Sequence, residues 1–231
     1  MSIGNGGWDL VQKVAPLARV VLLYGPASVG KTHYAQSLFG KDALQITLND
    51  DISAQELMGF YMPKGNQMEW HNGPFITAPQ QGRPLIINEI SRGSGAVKDC
   101  LLPLLDSEDS MSITLPSGNT IRPALGFKVI CTSNDPPESL DPALQARLCL
   151  SFEITEPHPM YIAKLEAGLP GMGSLVLDSF KDPSNAINPR AAEQCITLIR
   201  LGMDLKDALS ACFGKRAADI EMYFKSHLKG A

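Results

Sequence analysis

The feature that most constrains this chain is an apolar run that leads directly into a glycine-containing loop and then into a helix-compatible segment. The run is Val20 to Tyr24, and the loop reads Gly25-Pro26-Ala27-Ser28-Val29-Gly30-Lys31-Thr32. A continuous apolar run of this length predicts a strand buried on both faces of a parallel sheet. The pattern from Lys31 to Phe39 predicts a helix that stops at Gly40. Together they indicate an α/β fold in which strand, tight loop and helix follow one another.

Further apolar runs continue this alternation along the first two thirds of the chain. We predict strands over residues 43–48, 85–87, 127–132 and 148–154, and a helix over residues 97–105 that Pro103 could kink. The last two strands follow segments long enough to hold crossover connections. Strands that alternate with helices in this way predict a layered α/β sheet.

Two stretches interrupt the alternation. Residues 60–82 are rich in Gly, Pro, Asn and Gln, and we expect loop or hairpin there rather than regular core. Residues 112–115 and 120–121 flank the turn-forming Pro116-Ser117-Gly118-Asn119, which predicts a small hairpin with an exposed tip. Before the first stretch, Ser53 and Glu56 have the spacing of a capping box at the start of a short helix.

A composition shift at Glu156-Pro157-His158-Pro159 predicts a domain boundary. We therefore expect an α/β domain over residues 1–156 and a small, all-helical unit over residues 157–231. Candidate helices of this unit cover residues 160–167, 189–201, 205–213 and 217–228. Pro189 suits a first helical position, and Asp204 suits an N-cap.

Composition excludes several classes of protein. Hydrophobic residues make up 44% and charged residues 19% of the 231 residues, which is too apolar for a disordered chain. No apolar run approaches the roughly 20 residues that span a bilayer, and Met1 to Leu10 lacks the basic start of a secretion signal. The five cysteines show no CxxC pair, so we expect reduced thiols in a cytoplasmic protein. A net charge of −4 gives no global basic field for nucleic acid, although a local basic pore stays open.

The loop that follows the first strand has the spacing GxxxxGK[ST], in the strand-to-helix context that this motif requires. Its backbone N–H groups and the positive end of the helix are suited to hold phosphate oxygens. Lys31 is suited to neutralise the terminal phosphates, and the Thr32 hydroxyl to bind Mg²⁺. The sequence therefore predicts a nucleotide phosphate site formed by Gly25, Pro26, Ala27, Ser28, Val29, Gly30, Lys31 and Thr32.

Polar residues follow two of the predicted strands, at the sheet edge where open α/β folds bind ligands. Asn88-Glu89 ends the third strand, and Thr132-Ser133-Asn134 ends the fourth. We expect Asn134 to lie beside Glu89 and to orient a water molecule that Glu89 polarises. Asn88 would supply an uncharged oxygen to the metal where an Asp is usual, which weakens the metal site. On local sequence alone, an ordinary strand-end carboxylate and a simple turn are equally good readings.

Taken together, these residues resemble AAA+ ATPases, and among them the MoxR-like and dynein-related group with a helix-2 insert. The resemblance covers roughly residues 19–200. It is carried by the phosphate loop and by Gly73-Pro74-Phe75-Ile76-Thr77-Ala78, then Gly82, then Asn88-Glu89-Ile90-Ser91-Arg92. It implies a five-stranded parallel P-loop sheet flanked by helices and followed by a small helical lid, with ATP and Mg²⁺ as cofactors.

The resemblance also implies roles for single residues. Residues 25–32 correspond to Walker A, Asn88-Glu89 to Walker B with Thr32 and Asn88 toward the metal, and Asn134 to sensor 1. Arg147 corresponds to an arginine finger that acts on the neighbouring subunit's ATP, and Arg190 to sensor 2. This arrangement implies a homo-oligomeric ring, commonly hexameric. The hairpins would face its central pore, with Tyr61, Trp70 and Arg122 as candidate contacts. A tryptophan such as Trp70 is more often a packed aromatic than a substrate contact.

Several functions are compatible with these residues. The leading hypothesis is a ring-forming ATPase that remodels or activates a client protein, with a separate partner that carries a von Willebrand factor A domain. A nucleic-acid motor or restriction-type subunit is an alternative. It is favoured by the basic residues at positions 215, 216, 225 and 229. A third hypothesis is a nucleotide-gated scaffold with little hydrolysis because of Asn88. A small-molecule kinase is the weakest.

Overall fold

Residues 7–227 are described by the computed structural model, and their contacts divide them into two units. The first unit comprises Gly7–Pro26 and Lys31–Ile154. The second comprises Ala27–Gly30 together with the chain from Thr155 onwards. Residues 1–6 and 228–231 lie outside the described residues, and the domain boundary after residue 156 stays a prediction.

The first unit contains strands and helices in alternation. Its strands are β1 (Val20–Tyr24), β2 (Leu44–Thr47), β3 (Gly59–Lys64), β4 (Gln67–Asn72), β5 (Leu85–Asn88), β6 (Ile113–Thr114), β7 (Thr120–Ile121), β8 (Val129–Ser133) and β9 (Ser151–Glu153). Its helices are α1 (Trp8–Val14), α2 (Lys31–Phe39), α3 (Ala54–Met58), α4 (Pro74–Gln81), α5 (Gly95–Leu105) and α6 (Pro142–Arg147).

Five strands form one parallel sheet in the order β2-β5-β8-β1-β9. Every residue of β5 and β8 is buried, as the unbroken apolar runs of the sequence predict for central strands. The predicted α/β fold is confirmed. Because the strands are parallel, the carboxyl ends of β1, β5 and β8 meet at one edge of the sheet. The glycine loop follows β1, Glu89 follows β5 and Asn134 follows β8.

Helix α4 is the main departure from the loop or hairpin expected over residues 60–82. Pro74 occupies the first turn, where its missing N–H costs nothing, and Gly82 ends the helix in a left-handed conformation. Phe75 and Ile76 are fully buried, so apolar contacts stabilise a helix despite the internal Pro79. The turn-forming residues around this helix favour a loop on local sequence. The expectation that residues 60–82 contain no regular core was therefore wrong for α4.

The same stretch begins with the antiparallel hairpin β3–β4, in which Tyr61 pairs with Trp70. Their rings make an edge-on contact with centroids 5.1 Å apart, and Trp70 packs against the core of the unit. The second predicted hairpin is β6–β7, with buried Ile113 and Ile121 and an exposed tip. The capping box of Ser53 and Glu56 is present at the start of α3.

The second unit is helical over its described part from residue 155 onwards. It contains α7 (Pro159–Gly168), α8 (Met172–Ser179), α9 (Pro189–Arg200), α10 (Leu205–Phe213) and α11 (Ala217–His227). Pro189 opens α9 and Asp204 caps α10, as predicted. Helix α8 was not expected, and position 228 of the predicted last helix lies outside the described residues.

Over residues 7–227, no helix has the length and apolar character needed to cross a bilayer. The five cysteines are unpaired thiols. Burial in β8 raises the pKa of the Cys131 thiol to about 12, which makes it an inert core residue.

Candidate functional site

Gly25 follows β1 and opens the loop with a backbone that favours glycine. Its φ is 131°, and a Cβ at this position would lie 2.1 Å from the main-chain oxygen of Ile154. The N–H of Ile154 donates to the oxygen of Tyr24 at 2.8 Å, so the chain after β9 lies directly against the start of the loop. Both conformation and space therefore require glycine.

We expect Gly25→Ala to lower the free energy of unfolding by at least about 3 kcal/mol, because backbone strain adds to overlap with main chain. Gly118→Ala is the matched control. Gly118 also has a positive φ, 85°, but nothing lies within 4 Å of its Cβ position. We expect Gly118→Ala to lower the free energy of unfolding by only about 1 kcal/mol. Urea denaturation measures both values, and equal losses would contradict the steric explanation.

The tip of the loop, Ala27–Gly30, belongs to the second unit and contacts His158 of that unit. The main-chain N–H of His158 donates to the oxygen of Val29 at 2.9 Å. A Cβ at Gly30 would lie 3.3 Å from Cβ of His158. Ser28 has a φ of 68°, which is uncommon for a residue other than glycine. The tip is therefore a shaped turn that a neighbouring main chain supports.

Lys31 opens α2, and its side chain is buried at 7% relative exposure. Its Nζ donates to the oxygens of Gly25 and Pro26, both at 2.7 Å, and to Oδ1 of Asn134 at 3.1 Å. A buried ammonium group must be hydrogen-bonded to be tolerated. The positive charge is thus fixed between the start of the loop and the end of β8.

Glu89 follows β5 in a left-handed conformation, with a φ of 57°. Nδ2 of Asn134 lies 3.0 and 3.1 Å from its two carboxylate oxygens, and Nε of Arg92 lies 3.4 Å from Oε2. The Glu89 side chain is 26% exposed, so water can reach it. Asn134 therefore connects the ammonium group of Lys31 to this carboxylate, and the expected adjacency of the two strand ends is observed.

Asn88 is almost fully buried, at 5% exposure, and its amide oxygen faces two hydroxyl groups. Thr32 donates to Oδ1 at 2.7 Å and Thr132 at 3.2 Å, while Nδ2 donates to the oxygen of Ile46 at 3.4 Å. Hydroxyl and amide oxygens are suitable ligands for Mg²⁺ when phosphate oxygens complete the shell. The residues present therefore fit a divalent cation, although without a carboxylate at position 88.

The described residues contain no metal site rich in carboxylates. Among residues 7–227, no group of three or more His, Cys, Asp or Glu is placed to hold a metal ion. A cation at the edge of the sheet would thus depend on Thr32, Asn88 and the ligand that it accompanies.

Arg147 ends α6 and pairs with an acidic residue of its own unit. Nε donates to Oδ1 of Asp106 at 2.7 Å, and Nη1 donates to the oxygen of Ala143 at 3.1 Å. The side chain is 30% exposed. The structure does not bring Arg147 into contact with Glu89 or Lys31 within the first unit.

Arg190 lies in the first turn of α9 in the second unit, and it is exposed. One turn later, Glu193 accepts a hydrogen bond from the Tyr161 hydroxyl at 2.7 Å. Burial, followed by this hydrogen bond, raises the pKa of Tyr161 well above its ordinary value. The Tyr161 contact anchors the start of α9 to α7.

Two residues near the site were not singled out from the sequence as site residues. Arg92 contacts Glu89, and the spacing of three positions between opposite charges could have indicated this pair. Asp106 contacts Arg147 across 41 positions, and no local signal predicts such a contact.

The chain is similar to known proteins of the AAA domain family. The sequence profile of the AAA domain (dynein-related subfamily) matches residues 20–148. Protein NorQ of Paracoccus denitrificans (strain Pd 1222) is 27% identical over 209 residues, which cover 83% of this chain and 77% of NorQ. The denitrification regulatory protein NirQ of Stutzerimonas stutzeri is 26% identical over 117 residues, 49% of this chain and 42% of NirQ.

A solved structure of a candidate ATPase from Cytophaga hutchinsonii has the same fold, with a TM-score of 0.50 and 17% identity. The match covers 72% of this chain and 52% of that one. The resemblance seen in the sequence is thereby confirmed, as is the AAA+ fold of the five-stranded parallel sheet with flanking helices. The chain belongs to the dynein-related subfamily of AAA domains.

Proposed function

We propose that this chain is a ring-forming ATPase that couples ATP binding and slow hydrolysis to the remodelling, assembly or activation of a client protein. One observation carries the proposal: the hydrogen-bonded chain from Lys31 through Asn134 to Glu89. It joins a cation suited to the terminal phosphates to a carboxylate that water can reach. Those are the two charges that phosphoryl transfer to water needs.

Binding would use the loop of residues 25–32. Its backbone N–H groups and the positive end of α2 favour phosphate oxygens. Lys31 would exchange the main-chain oxygens of Gly25 and Pro26 for anionic phosphate oxygens, and such charge-assisted hydrogen bonds are stronger than those to neutral carbonyls. Binding is therefore favoured by a gain in electrostatic attraction at a side chain that is already ordered.

Glu89 would act as the general base. A water oxygen attacks the γ-phosphorus, the bond to the β–γ bridging oxygen breaks with its electron pair left on ADP, and the carboxylate accepts the proton of the water. Asn134 contacts both carboxylate oxygens and Arg92 contacts Oε2, so the base has a fixed orientation before the substrate arrives.

Thr32 and Asn88 are the residues that would hold a Mg²⁺ ion. When bound, the ion neutralises charge that develops on the phosphate oxygens. An amide oxygen attracts a cation less than a carboxylate does, so we propose that Asn88 lowers the Mg²⁺ affinity and the rate of hydrolysis.

Asn88→Asp tests this. The new carboxylate places an oxygen where Nδ2 donates to Ile46, so without Mg²⁺ we expect the free energy of unfolding to fall by about 1–3 kcal/mol. With Mg²⁺ and ATP, half-maximal turnover should need about tenfold less Mg²⁺, and the turnover rate should rise. A Mg²⁺ titration of phosphate release measures this, with Asn119→Asp at the exposed hairpin tip as control. Unchanged Mg²⁺ dependence and turnover would refute the assigned metal defect.

The remaining features of the proposal concern assembly. We propose that Arg147 acts on the ATP of a neighbouring copy in a homo-oligomeric, hexameric ring, and that Arg190 contacts phosphate as sensor 2. A cation at the positive end of α9 is unfavourable unless an anion offsets it. The client is a protein, with a von Willebrand factor A domain partner as a candidate, and the cytoplasmic location stays a prediction.

Two other functions differ in how the structure bears on them. A nucleotide-gated scaffold is favoured by the neutral Asn88 at the metal position. The function as a nucleic-acid motor is disfavoured, because two of the basic residues that favoured it have partners within the chain. Lys225 pairs with Glu221 at 2.6 Å. Arg216 donates to the main-chain oxygens of Asn185 and Ala186. Lys229 lies outside the described residues.

The test is phosphate release by the purified chain in Mg²⁺ and ATP over a wide range of protein concentration, with the mass of the assembly measured in parallel. We expect turnover per chain to rise with concentration and to level off as the ring forms. Constant turnover per chain in a monomer would exclude the shared site. ATP binding without turnover in a fully assembled ring would favour the scaffold.

A further inference from the structure

The contacts of Arg147 with Asp106 and Ala143 use two nitrogens of the guanidinium group, Nε and Nη1. Asp106 follows α5 as its C-cap, and Arg147 is the last residue of α6. Oδ1 of Asp106 accepts from Nε at 2.7 Å, and the main-chain oxygen of Ala143 accepts from Nη1 at 3.1 Å. Neither of these contacts uses Nη2.

The geometry of this contact indicates whether Asp106 orients Arg147 or keeps it from binding phosphate. A carboxylate that withheld an arginine from phosphate would pair with two guanidinium nitrogens at once in a two-pronged contact. Here the carboxylate takes the inner Nε, and both side chains stay about one third exposed, at 30% and 32%. The end of the guanidinium group therefore remains suited to an external anion.

A fixed arginine is more effective than a mobile one. An unrestrained arginine loses much rotamer freedom when it binds phosphate, and that loss is part of the barrier if it occurs during the reaction. A carboxylate that orients the side chain beforehand removes this part of the barrier.

We propose that Asp106 is a positioning residue, which holds Arg147 by Nε so that Nη2 is presented to the γ-phosphate of a nucleoside triphosphate on a second copy of this chain. The inference rests on the proposed function, since it requires Arg147 to act on a neighbour's nucleotide. Asp106 itself does not touch the substrate.

The test compares four variants at a protein concentration where turnover per chain has levelled off. Arg147→Ala should lower kcat by about a thousandfold. Asp106→Ala should lower kcat by about tenfold and leave KM for ATP within about twofold. Asp106→Asn keeps an oxygen that accepts from Nε but lacks the charge, so it should retain about a third of the wild-type kcat. The double variant Asp106→Ala with Arg147→Ala should match Arg147→Ala alone.

Glu108→Gln is the matched control. Glu108 lies two residues from Asp106 and is exposed. Burial lowers the pKa of Arg19, and the charges of Glu108 and Asp106 oppose that shift. If Asp106→Ala lowered kcat through its effect on Arg19, Glu108→Gln would therefore lower kcat as well. We expect this control to keep wild-type kcat, and a tenfold loss in it would overturn the inference.

The other outcomes separate the inference from the proposed function. Wild-type kcat in Asp106→Ala, with the loss retained in Arg147→Ala, would overturn the inference and leave the function standing. A higher kcat in Asp106→Ala would also overturn it, because Asp106 would then withhold the arginine. Wild-type kcat in Arg147→Ala would overturn the shared site itself. If Asp106→Ala does not fold, Asp106→Asn with its melting temperature decides the same question.

Discussion

We expect Lys31→Ala to show no ATP binding at concentrations that just saturate the wild type. The variant loses the one buried ammonium that the structure fixes at the start of the loop, where it donates to Gly25, Pro26 and Asn134. Hydrogen bonds from a charged donor contribute about 1.5–3 kcal/mol each, so two of them lost from phosphate weaken binding by at least about a hundredfold. Titration with a fluorescent ATP analogue measures the affinity.

The matched control for this variant is Lys41→Ala. Lys41 is an exposed lysine in the turn after α2, so its removal changes the net charge equally without touching the loop. We expect the control to bind ATP within about twofold of the wild type, because the effect of an exposed charge is screened by salt. Equal losses in both variants would mean that Lys31 acts only through net charge, which contradicts its assigned role.

Glu89→Gln separates chemistry from binding. The amide has the size of the carboxylate but cannot accept the proton of the attacking water, so we expect kcat to fall by about 10²–10⁴. The affinity for ATP should stay within about threefold, since Lys31 and the loop are unchanged. Single-turnover phosphate release and nucleotide titration measure the two quantities. Wild-type turnover in Glu89→Gln would show that another group is the base.

The core of the site could be predicted because its parts are local or follow strand ends. The loop from Gly25 to Thr32 is continuous in sequence, and its strand and helix have the predicted bounds. The proximity of Glu89 and Asn134 follows from a different rule, since neighbouring parallel strands end at one sheet edge. Periodicity and topology were sufficient for both.

The parts that could not be predicted depend on tertiary contacts. Helix α4 is formed because Phe75 and Ile76 are buried, although Pro79 and the glycines around it favour a loop on local sequence. The pair of Arg147 and Asp106 depends on the packing of two helices that are far apart in the chain. Local propensity carries no information about either contact.

The neutral Asn88 also has a structural explanation that the sequence lacked. Its amide both accepts from Thr32 and Thr132 and donates to Ile46, and a carboxylate could make only the first kind of contact. The side chain is therefore satisfied without a metal ion. This favours a protein whose sheet edge is stable before nucleotide and Mg²⁺ bind, at the cost of weaker attraction for the cation.

In the proposed ring, one active site is formed by two copies of the chain, and mixing two inactive variants tests this most directly. Glu89→Gln keeps Arg147, and Arg147→Ala keeps Glu89. In a mixed ring, some interfaces therefore combine an intact Glu89 from one copy with an intact Arg147 from its neighbour. With random assembly from equal amounts, turnover should recover to about a quarter of the wild-type value. A mixture whose turnover stays at the average of the two separate variants, although mixed rings have formed, would contradict an active site shared between two copies.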